Sequence, residues 1–231
     1  MGIVSYIQSL FTVDGLISLL LRIPCIIIAI SFHECAHAFV ADKLGDDTAR
    51  YAGRLTLNPI KHFDIIGGIC MLLLGFGWAK PVPVDMRRLK HPRRDMALIA
   101  AAGPATNLII AVITAFILGG TYKIFLDTGI KIQPADFSLA YMLIQFLSTL
   151  FTLNLALTIF NLIPINPLDG SRILGMFLPN KAYFWLMKYE RYIYLGFIIL
   201  LATGLLSTPL SIAISWVAER ILDLVYLVFG L

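Results

Sequence analysis

The run His33-Glu34-Cys35-Ala36-His37 sets two imidazoles and a carboxylate at a spacing suited to metal-assisted hydrolysis. On a helix the histidines stand one turn apart, so both rings can reach one zinc ion. At about 100° per residue Glu34 shares their sector, whereas Cys35 points away from it and is not counted as a ligand. Glu34 can take a proton from a water that zinc has made acidic and later hand one to a leaving amine. With four histidines in 231 residues, chance gives such a pattern about once in a thousand sequences, so the pattern is specific.

Two imidazoles leave a catalytic zinc one protein ligand short. Asp169 stands out as the third. It lies in Asn161-Leu-Ile-Pro-Ile-Asn-Pro-Leu-Asp-Gly170, where an apolar span ends in two prolines and turns, so its carboxylate can face the cytoplasmic end of the first helix. Alone, such an Asp-Gly would be a turn and a cap for a helix from Ser171 onward. Beside the histidine pair, the ligand reading prevails. Asn161 either holds a substrate carbonyl or developing oxyanion, or makes a helix-end bond to backbone. Asn154 reads as a hydrogen bond between helices. Asn107, in Gly103-Pro-Ala-Thr-Asn107, can reach a group behind a metal ligand or a substrate backbone, although a structural hydrogen bond is the simpler role; Gly103 reads first as a close helix contact. His62 and His91 lie in basic loops and are not proposed as ligands.

The elements that must position these groups are membrane helices. Hydrophobic residues make up 59% of the chain and charged ones 14%, and the mean hydropathy is +0.86. That lies outside the range of ordinary soluble domains. The net charge of +4 does not point to nucleic acid, because the basic residues sit in short loops between apolar runs and report topology. No basic residue precedes the first apolar run, so no cleaved targeting segment is expected. Cys25, Cys35 and Cys70 are odd in number and in apolar surroundings, and are expected to be buried, unpaired thiols. Arg22 falls inside the first span with no assigned role.

Apolar runs at 15–41, 96–118, 138–163, 192–206 and 210–229 predict an all-α polytopic membrane protein of about five to six membrane helices, forming one domain over 1–231. Glu219, Arg220 and Asp223 leave the last run open to an interfacial position. The run at 65–79 is short and glycine-rich, and it leads into Lys80-Pro-Val-Pro-Val84. A re-entrant loop or small β-hairpin is expected there rather than a helix throughout. Basic loops on both sides of it fit the cytoplasmic face only if the segment dips in and returns, and irregular backbone at that depth implies a wet cavity. Residues 119–137 are read as an outer-face loop. The histidines come out roughly 10 Å from the cytoplasmic end of the first span.

The chain resembles the site-2 protease family of intramembrane zinc metalloproteases. The resemblance rests on His33-Glu-Cys-Ala-His37, Gly53-Arg-Leu-Thr-Leu-Asn-Pro59, Gly77-Trp-Ala-Lys-Pro-Val-Pro-Val84, Gly103-Pro-Ala-Thr-Asn107 and Phe160-Asn-Leu-Ile-Pro through Pro167-Leu-Asp-Gly170, and it covers most of the chain. It is similar to the compact prokaryotic branch without a PDZ domain, except that Ile65 and Asn166 stand where proline is expected. The resemblance implies one Zn2+ on His33, His37 and Asp169, Glu34 as base and Asn161 assisting the transition state. It also implies that Val82 and Val84 offer a strand edge to an unwound transmembrane protein or peptide substrate in a prokaryotic cell membrane. The alternative from another class is a metal-ion or small-solute transporter with a His/Glu/Asp site; a third is a catalytically silent binder of membrane segments. Substrate identity and oligomeric state are not legible.

Overall fold

The computed structural model describes residues 12–74, 77–130, 132 and 138–231. The expectation about a targeting segment falls on 1–11, and part of the expected outer loop on 131 and 133–137; both lie outside the described residues. Among the described residues the fold is all-helical, and no strand is assigned.

Helix α1 (Val13–Lys43) starts at Thr12, whose hydroxyl accepts from the Gly15 amide at 3.1 Å. Ile26, Ala29, Ile30, His33, His37, Ala38 and Ala41 recur at helical spacing and are buried, while Leu16, Leu20, Phe32 and Phe39 are exposed. The histidines therefore lie on the face that meets the rest of the protein, and the apolar outer face suits lipid. Two short helices follow, α2 (Thr48–Tyr51) and α3 (Pro59–His62).

Helix α4 (Ile65–Leu74) takes the first part of the glycine-rich run at 65–79; residues 77–79 are not helical, and 75–76 lie outside the described residues. Its glycines serve close approach: a Cβ on Gly67 would collide with the backbone of Trp78, so the returning chain lies directly on α4. At ten residues it is about 15 Å long, half the apolar thickness of a bilayer. The small β-hairpin is not found among the described residues. Residues 77–85 carry no assigned helix or strand, and Pro81 and Pro83 have no N–H to give to a ladder.

Helix α5 (Pro92–Thr128) has 37 residues and runs ten past the expected span, ending at Gly129 with φ 69°. Gly119 and Gly120, read as the opening of a loop, are instead the place where α9 (Ser207–Phe229) crosses. A Cβ on Gly119 would strike Val225 Cγ1. Beyond them the helix is carried by Thr121 Oγ1 donating to Ile117 O (2.7 Å) and by the Lys123–Asp127 pair (2.8 Å). The remaining helices are α6 (Leu139–Asn161), α7 (Asp169–Phe177) and α8 (Asn180–Ala202).

Helix α5 runs through the middle of the molecule, against α1, α6, α7 and α9. Ala111 and Ala115 of α5, Phe151 and Leu155 of α6 and Val225 of α9 form one core, and Ala41, Leu89, Met96 and Ile99 form another beneath the site. Three helices, Gly15–Lys43, Pro92–Thr128 and Leu139–Asn161, are long and apolar enough to cross a membrane. Cys25 is buried, whereas Cys35 and Cys70 are half-buried rather than buried; all three are free.

Candidate metal centre

His33 and His37 project from α1 toward the start of α7, where Asp169 opens the helix. Asp169 Oδ2 lies 3.2 Å from His33 Nε2 and 3.4 Å from His37 Nε2. One ligand atom from each residue falls within 4.8 Å of the others. The helix starts at Asp169 itself, not after it, because Gly170 lets the chain lie against the Leu162 and Ile163 carbonyls where a Cβ would collide.

The far sides of both rings are fixed. His33 Nδ1–H donates to Asn107 Oδ1 at 2.9 Å, and His37 Nδ1–H donates to the Ile99 carbonyl at 2.7 Å. With Nδ1 protonated, each neutral ring turns an Nε2 lone pair toward the same carboxylate oxygen. Asp169 Oδ2 is buried and has no hydrogen-bond partner among the described residues. Lone pairs meeting lone pairs at this range repel unless a cation lies between them.

The arrangement fits zinc. Tetrahedral ligands at about 2.0–2.1 Å from the metal stand about 3.3 Å from one another, which the two measured separations match. Gly103 leaves the necessary space: a Cβ there would sit 2.5 Å from both Nε2 atoms. Imidazole and carboxylate are ordinary zinc donors.

Around the three lies a cavity of about 290 Å³, whose wall includes Glu34, Val82, Val84, Asn161 and Arg172. Glu34 Oε2 accepts from the Val82 amide at 3.1 Å. Asn161 reaches this wall, and its Nδ2 donates to Leu157 O at 2.9 Å, the helix-end bond foreseen as one of its two roles. Asn107 is fully buried behind His33, and it is not a wall residue of the cavity. Asn154 bonds within its own helix, to Leu150 O at 2.8 Å, and the link between helices comes from Thr158 Oγ1 to Pro104 O at 3.2 Å.

The segment beside Glu34 is held by groups that sequence reasoning passed over. The Lys80 amide donates to His62 O (2.9 Å), Arg54 donates to Lys80 O, and the Asp85 amide donates to Asp46 Oδ2 (2.7 Å). His62, set aside as a loop histidine, is completely buried, and its Nε2 pairs with Thr56 O at 2.7 Å. Asp85 continues the chain into a short 3-10 turn, Met86–Arg88, and the Arg87 fork holds its carboxyl down to about 2. The signal in the sequence was Gly53-Arg-Leu-Thr-Leu-Asn-Pro59, a loop whose polar residues serve the backbone.

The model for peptidase family M50 matches residues 22–129 and 126–203, which takes in both halves of the site. The chain belongs to peptidase family M50. It is 44% identical over 191 residues to YwhC of Bacillus subtilis, covering 83% of this chain and 82% of that one. It is 30% identical over 185 residues to Rip2 of Mycolicibacterium smegmatis, covering 78% and 66%. A match to MJ0392 of Methanocaldococcus jannaschii is 30% identical over 154 residues, 67% of this chain and 33% of that one. All three are named as zinc metalloproteases, provisionally in the first two. No solved structure matches. The M50 chain is therefore an intramembrane zinc metalloprotease of the site-2 type, with zinc as its cofactor, and the transporter alternative finds no support.

Proposed function

We propose that this M50 protease cuts transmembrane proteins or peptides at the cavity around His33, His37 and Asp169, which together hold one zinc ion. The observation that carries this reading is the meeting of two Nε2 lone pairs and an unpartnered carboxylate oxygen at 3.2 and 3.4 Å. Zinc bound there supplies Lewis acidity, which polarises the scissile carbonyl and lowers the pKa of a water to about 7.

Glu34 is the base. Its Oε2 is fixed by the Val82 amide, which leaves the other carboxylate oxygen to take a proton from the attacking water and deliver it to the departing amide nitrogen. Asn161 has one amide hydrogen beyond its bond to Leu157 O, and that hydrogen can meet the developing oxyanion.

A transmembrane helix hides its carbonyls in internal bonds, so it must be drawn out before water can attack. Val82 and Val84 offer it an edge. Val82 and Val84 alternate with Pro81 and Pro83, and both valines line the cavity that holds Glu34. A substrate strand added there would lie beside the base.

For the membrane arrangement we take one domain over 1–231 in which α1, α5, α6, α8 and α9 cross and α4 with the 77–85 segment dips in and returns. The length of α4, the fold-back onto Trp78 and the basic residues on both flanks support this. The site then lies near the cytoplasmic side of a prokaryotic cell membrane. The test is Glu34→Gln in the purified enzyme with a membrane-embedded peptide. It should keep one zinc and lose turnover by at least a thousandfold; turnover at the wild-type rate would remove Glu34 from the base role.

A further inference from the structure

A second cavity, of about 260 Å³, adjoins the first. Met86, Met96 and Arg172 belong to the walls of both. Its other walls are largely apolar, with Leu186, Met187 and Ile193 from α8, and it also holds Arg93 and Glu190.

We propose that this cavity is a substrate subsite in which Arg172 receives an acidic side chain, about two or three residues from the bond that is cut. The proposal rests on the metal centre being where cleavage occurs. A chain cut in a cavity of 290 Å³ must leave it on both sides, since extended backbone advances about 3.3 Å per residue. The adjoining cavity lies on one side of it, and Arg172 is one of the three wall residues that the two share. It follows Asp169 by three residues on α7, so it shares that face of the helix. It has no hydrogen bond or ion pair among the described residues, unlike Arg54, Arg88 and Arg94, each of which is bound to a backbone carbonyl or carboxylate.

The local charge fits an anion. Arg93 lies over the Tyr183 ring at 4.2 Å, a stacking that leaves the guanidinium edge free to bond. Two guanidiniums against the single carboxylate of Glu190 leave the cavity one positive charge in excess. The methionines and α8 side chains suit apolar residues of varied shape on either side of the charged one. Substrate with this pattern is an apolar segment with one aspartate or glutamate close to the scissile bond. A peptide suits the position better than a lipid phosphate, because the cavity shares its wall with the reaction site.

The experiment uses the full-length, zinc-loaded enzyme in neutral-lipid nanodiscs and a membrane-spanning peptide with a mapped cleavage site. Glu, Gln or Lys is placed in turn at each of the three residues on either side. At one position wild-type kcat/KM should favour Glu over Lys by about tenfold or more, mostly through KM. Arg172→Glu, with zinc content unchanged, should reverse the order. Equal rates for the three peptides at every position would overturn the proposal, as would an Arg172→Glu enzyme that keeps the wild-type order. Should Arg172→Glu fail to load zinc, Arg172→Gln must bring the ratio toward one, and a retained ratio overturns the subsite. Failure of the cleavage site itself reads differently: wild-type protein without zinc that cuts none of the peptides overturns both.

Discussion

His33 and Asn107 are 74 positions apart in sequence, yet the ring Nδ1–H meets the amide oxygen at 2.9 Å in the buried interior. That bond fixes which nitrogen of His33 is free. An imidazole held this way is oriented before metal arrives, so Asn107→Ala should weaken zinc binding by about ten- to a hundredfold. Competition with a chromogenic chelator measures it, and zinc affinity equal to wild type would show that the bond positions nothing.

Gly103 is the floor of the metal centre. The Cβ of Gly103→Ala would stand 2.5 Å from both Nε2 atoms, so the variant should lose zinc although alanine is the better helix former. Circular dichroism should show the helix content retained. A zinc-loaded, active Gly103→Ala enzyme would mean that the two rings have room the geometry denies them.

The segment beside Glu34, the proposed base, is held through Arg54 and Lys80 O. Arg54→Met should leave zinc content unchanged while kcat/KM falls by about ten- to a hundredfold, because a small shift of Val82 misplaces both Glu34 and the proposed substrate edge. Metal analysis alongside kinetics separates this outcome from damage to the centre.

Packing remote from the site is tested at Gly119. Gly119→Val would drive a side chain into Val225 where α5 and α9 cross, and should cost about 1–3 kcal/mol of stability. Thermal unfolding should show the loss, while unheated protein still binds one zinc. An unchanged midpoint would put the two helices farther apart.

The meeting of His33, His37 and Asp169 was legible because its signals are side chains at fixed offsets: His33 and His37 one turn apart, and Asp169 at a proline-bounded turn. The groups behind them were not. Ile99 holds His37 through a main-chain carbonyl, which every residue possesses and no sequence advertises. His62 and Asp46 sit in a stretch whose charge reads as solvated loop, yet both are completely buried because they satisfy backbone on neighbouring segments. The glycines of α4 and α5 misled for a single reason. Propensity counts them as helix-weakening, but here they let another chain segment approach, and packing decides. The break in helix at Lys80–Val84 was visible in its prolines, whereas the small hairpin expected there is not found among the described residues.

Metal content of Asp169→Ala tests the central claim most directly. After dialysis against a chelator that leaves one zinc on the wild-type enzyme, the variant should hold none, with its helix content preserved. A variant that retains one zinc per chain would contradict the joining of α1 and α7 through a shared cation.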